Sequence, residues 1–341
     1  MVNEKVITKV DEPTKWINSM VATSKKNSNR LRICIDPRDL NKVIIREHYQ
    51  LPSIEEIIGR LSGAQYFSKL DANCGYWQIP LDEESSKLTT FNTPFGRFRF
   101  LRLPFVIRCA QEVFHKRVHE IFEGLSGVET DIDDILIWGT TAKEHDDNLK
   151  ACLDRVQARG MTLNPEKCQF RVTSIEYLGH ILTQEGVKPD PKKLEAIQNM
   201  PTPEDKQAIQ RLLGMVNYVA KFSPNVSIVS EPLRNLLKKD VEFHWTEQHA
   251  ECLANLKNLF TQGDKVLKYY DVTTPVTIQV DASKSGLGVA VIQEHGPVAY
   301  ASKALSETQK HYAQIEKECL AVIWSETISP LCFWKEGDHR V

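Results

Sequence analysis

Between Leu31 and Ile35 apolar residues alternate with Arg32 and Cys34, the two-residue period of a half-buried strand, and Asp36-Pro37 then reads as a turn. Tyr66 to Leu70, Phe98 to Leu103 and Ile132 to Trp138 are further short stretches rich in aromatic and branched residues, and each predicts a strand. Elsewhere the period lengthens. Leu149, Leu153 and Val156 recur at helical spacing ahead of Gly160, so an amphipathic helix is expected over Lys143 to Arg159, packed on a sheet and ended by that glycine. Thr202-Pro203-Glu204-Asp205 predicts the start of another helix, with Thr202 as cap, Pro203 in the first turn and Leu212, Leu213 and Val216 as the apolar face. Pro189, Pro191, Pro201 and Pro203 bracket this stretch and suggest passage from one domain to the next. From Val276 a new alternation begins, with Gly286 and Gly288 at a turn into a second strand. Tyr312, Ile315, Cys319 and Val322 then form an apolar stripe at helical spacing, expected to pack on that sheet. The fold class is α+β.

At 341 residues and 41% hydrophobic content, the chain can build two or three cores. The 43 basic side chains are balanced by 45 acidic ones, so no global positive field attracts nucleic acid. Any basic footprint must be local: Lys25, Lys26, Arg30, Arg32 and Arg38 form one cluster, and Arg97, Arg99, Arg102 and Arg108 another, although each cluster also suits a solvated face. The eight cysteines are scattered without zinc-like spacing and read as reduced thiols. A charged N-terminus and the lack of a long apolar run predict an intracellular protein with no membrane partner.

Candidate chemistry begins with carboxylates in apolar company. Asp133 and Asp134 interrupt Ile132 to Ile137, where unpaired carboxylates cost several kcal/mol to bury and call for a cation. Mg2+ suits that role, taking one or two carboxylates together with substrate phosphates. A turn at a strand end, with both acids in water, accounts for the same motif. Asp71, after Tyr66, Phe67 and Leu70, offers a third acid on another expected strand. Side by side, the two strands would assemble a paired-metal clamp for an attacking 3′-hydroxyl and a leaving pyrophosphate.

These residues stand within a dense series of motifs. Arg32-Ile33-Cys34-Ile35-Asp36, Phe67-Ser68-Lys69-Leu70-Asp71-Ala72 running into Gly75-Tyr76-Trp77-Gln78-Ile79-Pro80, Thr93-Pro94-Phe95-Gly96 and Leu103-Pro104-Phe105 come first. Ile132-Asp133-Asp134-Ile135-Leu136, Lys167-Cys168 with Phe170, and Tyr177-Leu178-Gly179-His180 follow. Over nearly its whole length the chain resembles the reverse transcriptases of gypsy-like LTR retrotransposons. The resemblance implies a right-hand-like polymerase with fingers and palm over residues 1–187, a helical thumb or connection over 188–272, and an incomplete ribonuclease H-like α/β domain over 273–341. On this expectation the chain starts inside the fingers and stops part-way through the last domain.

By the same resemblance, Asp71, Asp133 and Asp134 hold two Mg2+ ions, with Ala72 lending its carbonyl. Lys25 and Arg32 grip the phosphates of an incoming dNTP, a task suited to a bidentate guanidinium. Tyr76 rejects a ribose 2′-hydroxyl, Phe105 lies beside nucleotide and template, and Leu178-Gly179 grips the primer end. Asp281 and Glu318 correspond to the first two ligands of a second two-metal site that cleaves RNA in an RNA-DNA hybrid, with Glu316 as the competing acid. The implied partners are an RNA or DNA template with its primer, dNTPs and the hybrid; oligomeric state is not implied. Three positions depart from the family pattern: Asp131 replaces an aromatic residue, Val106 a glycine and Gln111 a proline. An extra charge at 131 would sit beside the metals, and a branched residue at 106 threatens an unsuitable backbone angle. Two alternatives therefore stand beside templated DNA synthesis: hybrid cleavage by the C-terminal part, and a degenerate copy that binds nucleic acid without catalysis.

Overall fold

The computed structural model describes residues 1–24, 31–261 and 265–328. It divides into two compact units, one formed by Met1–Pro52 with Phe67–Val172, the other by Ser53–Tyr66 with the chain from Thr173 onward.

The first unit is built on a four-stranded sheet in the order Val128–Asp131, Asp134–Gly139, Tyr66–Asp71, Gln169–Val172. Its central strands are apolar because one face is covered by the Ala110–Phe122 and Ala142–Ala158 helices. Leu70, Ile135 and Ile137 meet Phe114, Val118, Cys152 and Val156 in one buried cluster. The second helix forms as its spacing predicts: the Thr141 hydroxyl accepts the Glu144 N–H at its start, and Gly160 at φ 65° ends it. Such a cap contributes about 1 kcal/mol. A second core joins Val6, Ile35, Leu40, Phe91, Phe100 and Ala110 beneath the Ile7–Val10, Gly96–Phe100 and Phe91–Thr93 sheet. Here the expected strand over Phe98 to Leu103 shifts to Gly96–Phe100. Leu103 instead donates its N–H to the Ile79 carbonyl, which draws the chain out of the sheet before Pro104.

In the second unit, a meander of Ser174–Tyr177, His180–Thr183 and Gly186–Pro189 precedes the helices. The expected helix after Pro203 starts later, at Lys206–Val219, and its cap is Asp205 rather than Thr202. The cause is local. The Asp205 carboxylate accepts the Ala208 N–H at 2.6 Å, which satisfies one of the free amides of the first turn. Ile209, Leu212, Leu213 and Val216 are then buried as the period requires.

A three-stranded antiparallel meander, Thr277–Ala282, Gly286–Gln293 and Gly296–Ala304, is followed by the Gln314–Glu326 helix. The helix packs by the wrong stripe for the sequence reading. Ile315 is 70% and Val322 51% exposed, with Tyr312 and Cys319 also outward. Ala321 is buried against Leu287 and Leu305 instead, with Leu320 and Trp324 beside it. The helix carries two apolar stripes, and the one with a small alanine permits the closer approach to the sheet.

Candidate active site of the first unit

Asp133 lies in a hairpin turn, and Asp134 begins the strand that follows it. Val128–Asp131 and Asp134–Gly139 form a hairpin closed by the pair Asp131 and Asp134, so Ile132 and Asp133 are its two turn residues. Ile132 adopts φ 49°. A left-handed conformation costs an L-residue about 1–2 kcal/mol, and a branched side chain is unusual there. The turn is tied to the neighbouring strand by backbone, since the Ala72 N–H donates to the Asp133 carbonyl at 3.0 Å. That bond sets the end of the Asp71 strand beside the turn.

Asp133 Oδ1 is buried and has no hydrogen-bond partner. Burial, then the negative charges of Asp71 and Asp134, push its carboxyl up to about 6. Asp131 is also raised, first by burial and then by Asp134. These carboxylates therefore sense one another through a poorly solvated space. Lys167 answers part of the charge: its ammonium stands 3.2 and 3.0 Å from the two oxygens of Asp71. The pairing with Asp71 raises the lysine's own pKa. The Lys167 segment is fastened in turn, because Asn164 donates its N–H to the Asp71 carbonyl and Asn73 to the Thr162 carbonyl. Gln78 seals the same seam, its amide donating to the carbonyls of Asn73 and Thr162 and accepting the Thr162 N–H.

Gly75 keeps the pocket open. A Cβ there would lie 2.4 Å from Asp133 Oδ1 and 2.6 Å from the Phe114 ring. Tyr76 follows, its ring edge-on to Phe105 and tilted against Phe114, each with a 5.2 Å centroid separation. Burial, then Asp133 and Asp131, raises its phenol above the usual tyrosine range. Thus Asp71, Ala72 and Asp133 stand together, Tyr76 senses the charge of Asp133, and Phe105 packs on the Tyr76 ring. Asp134 caps the hairpin as the partner of Asp131. Lys25 lies outside the described residues, and so does the side chain of Arg32, whose backbone forms part of Leu31–Ile35.

Of the departures, Val106 causes no backbone strain: it is not among the described residues with positive φ, and its side chain packs on the second core. Gln111 lies in the first turn of Ala110–Phe122. Two contributors escaped sequence reasoning. Lys167 was visible only as part of a motif, and Gly75 acquires its meaning from a through-space neighbour.

Among the described residues no three His, Cys, Asp or Glu side chains stand close enough to hold a metal ion by themselves. The donor set nevertheless fits a hard cation that keeps substrate and water ligands, because an orphaned buried oxygen belongs to a carboxylate that senses the charge of a second one.

In the second unit, Leu178 and Gly179 form the turn between Ser174–Tyr177 and His180–Thr183, at φ 47° and 71°. The Leu178 carbonyl accepts from the Tyr218 hydroxyl at 2.8 Å and lies 2.9 Å from His180 Nδ1. Asp281 is the penultimate residue of the first strand of the later meander, where it pairs with Gly288. Gln314 bridges the Ala282 carbonyl at 2.7 Å and Glu318 at 2.8 Å, which leads Glu318 to that strand end. Glu316 instead accepts the Ala313 N–H and caps its own helix.

Residues 23–182 match the family model for reverse transcriptase (RNA-dependent DNA polymerase), and residues 245–327 match an RNase H-like domain found in reverse transcriptase. The chain belongs to the reverse transcriptase family of LTR retrotransposon Pol polyproteins. It is 33% identical over 87% of its length to the retrovirus-related Pol polyprotein from transposon 297 of Drosophila melanogaster, covering 28% of that protein. The Pol polyprotein from transposon gypsy of the same organism is 31% identical over 92% of the chain, which covers 32% of it. The chain therefore spans about a third or less of these relatives. The fold is that of the foamy viral protease-reverse transcriptase in complex with RNA/DNA hybrid: TM-score 0.82, 22% identity, 97% of this chain and 45% of that one. Domains of these two kinds generally use divalent metal ions. No helix among the described residues is long and apolar enough to cross a membrane.

Proposed function

We propose that the chain is an RNA-directed DNA polymerase that extends a primer 3′-hydroxyl with dNTPs on an RNA or DNA template, using two Mg2+ ions. The observation that carries this reading is the orphaned, buried Oδ1 of Asp133, whose carboxyl senses the negative charge of Asp71. Asp71 and Asp133 would hold the ions, with Asp134 completing the acidic set and the Ala72 carbonyl adding a ligand. When bound, the ions supply charge neutralisation for the attacking and leaving oxygens. The chain's own residues do the positioning. Tyr76, braced by Phe105 and Phe114, presents its ring where the sugar would lie and excludes a 2′-hydroxyl. Lys25 and Arg32 would hold the triphosphate, and the turn at Leu178 and Gly179 would seat the primer end.

On this reading residues 1–187 are fingers and palm, 188–272 thumb or connection, and 273–341 ribonuclease H-like. The site of action would be the cytoplasm or nucleus, where dNTPs and element RNA occur. Purified protein with Mg2+, primed template and dNTPs should extend the primer, and Asp133→Asn should abolish extension. Extension unaffected by that substitution would refute the assignment.

A second reading draws on Gln314, which leads Glu318 to the strand end bearing Asp281. These two carboxylates would bind Mg2+ for cleavage of RNA in an RNA-DNA hybrid. Hybrid cleavage that Asp281→Asn leaves intact would rule it out.

A further inference from the structure

The turn that carries Asp133 is held in an unfavourable shape, and its stabilising contact comes from a helix to which no role has been assigned. Ile132 is its first residue, at φ 49°, while Asp133 is not among the described residues with positive φ. This sign pattern is that of a two-residue hairpin turn whose first position ordinarily takes glycine. A branched residue there gains nothing from its own backbone preference, so the conformation has to be imposed from outside.

Two hydrogen bonds impose it. The Asp133 carbonyl accepts from the Ala72 N–H at 3.0 Å, and the Ile132 N–H donates to His115 Nδ1 at 3.2 Å. They pin opposite flanks of the turn. His115 is 1% exposed and lies on Ala110–Phe122, next to the Phe114 ring that packs on Tyr76. Its ring is fixed laterally by Tyr49 at 5.8 Å and His119 at 6.5 Å. Accepting at Nδ1 requires a neutral imidazole with its proton on Nε2. Burial and the neighbouring His119 favour that form.

We infer that His115 is a positioning residue for the metal-binding carboxylate: by accepting the Ile132 N–H it holds the turn so that Asp133 Oδ1 faces Asp71. The inference rests on the polymerase reading for its activity readout. Its structural readouts stand apart from that reading.

The test compares His115→Phe, which keeps an aromatic ring without the acceptor, with His115→Gln, whose side-chain carbonyl restores one. Half-saturating Mg2+ for primer extension should rise about tenfold in His115→Phe, as is typical when support behind a metal ligand is lost. At saturating Mg2+ its turnover should stay close to the parent value, and His115→Gln should recover the parent metal dependence. Mn2+ affinity, measured by electron paramagnetic resonance without nucleic acid, should follow the same order, and the Ile132 amide should exchange faster only in His115→Phe. Adding Ile132→Asn, a residue that tolerates the left-handed region, should remove much of the defect. Unchanged metal dependence and unchanged Ile132 exchange in a folded His115→Phe would overturn the inference. A parent that bound Mn2+ without extending primers would defeat the polymerase reading, while its Mn2+ comparison with His115→Phe would still decide this one.

Discussion

The Lys167 ammonium lies 3.0 Å from one carboxylate oxygen of Asp71 and 3.2 Å from the other, and so serves as its counter-ion. A divalent cation must share or displace that contact. Lys167→Met removes both the competitor and one positive charge, and should tighten Mg2+ binding without nucleic acid by about threefold to tenfold, judged from Coulomb energies at a partly screened site. Isothermal titration of the two proteins with Mg2+ measures it. Weaker binding by the variant would show that Lys167 helps build the site rather than compete for it.

Gly75 is required for space. The methyl of Gly75→Ala would fall 2.4 Å from Asp133 Oδ1 and 2.6 Å from the Phe114 ring, and Phe114 is held in a packed cluster. Primer extension should drop by about a hundredfold or more, the scale expected when reacting groups are misplaced by an ångström. Overpacking should also cost about 1–3 kcal/mol of stability. Single-turnover kinetics and thermal melts separate the two effects; near-parent activity would mean that the pocket is looser than described.

Tyr76 should set sugar selectivity through its bulk rather than its hydroxyl. Its ring is locked between Phe105 and Phe114. Tyr76→Val should raise ribonucleotide incorporation relative to deoxynucleotide by about a hundredfold, since the discrimination comes from a clash, whereas Tyr76→Phe should leave the ratio unchanged. Paired kcat/KM values for one base in its two sugar forms provide the measurement. Equal ratios in all three proteins would reduce Tyr76 to a core aromatic.

His180 links the stability of the second unit to pH. Burial, then the positive charge of Lys221, brings its pKa down to about 4, and Nε2 is buried without a partner. The unfolded chain takes up this proton near 6.5, before the folded one does, so stability is intact above about 6.5 and falls as pH drops toward 4. The loss at the acid end is about 3 kcal/mol at most. Urea unfolding between pH 4 and 7.5 should show the slope for the parent and a flatter one for His180→Phe. Parallel slopes would assign the acid sensitivity to other groups.

The acids themselves were legible in the sequence, because carboxylates inside apolar runs demand compensation, and the structure gathers Asp71 and Asp133 as that demand suggests. A turn was legible as an alternative at this motif, but its conformation was not. Nothing in the preferences of isoleucine points to φ 49° at Ile132, and only a contact seventeen residues earlier in the chain, from His115, makes that conformation intelligible. The helix over Ala142–Ala158 followed its spacing closely because one face alone is apolar. Gln314–Glu326 carries two such faces, so periodicity identified a helix but chose the outward stripe. Asp205, three residues beyond Thr202, takes the cap by accepting the Ala208 N–H.

The Ala72 N–H bond to the Asp133 carbonyl joins two distant segments by main chain alone. A splice of that kind is indifferent to side-chain identity, so copying errors across most of the surface leave the spacing of the two acids untouched. Changes that deform the strand, refill the hollow or remove the His115 acceptor do reach it. A lineage of such chains can therefore diverge far in wording while these two acids keep one spacing.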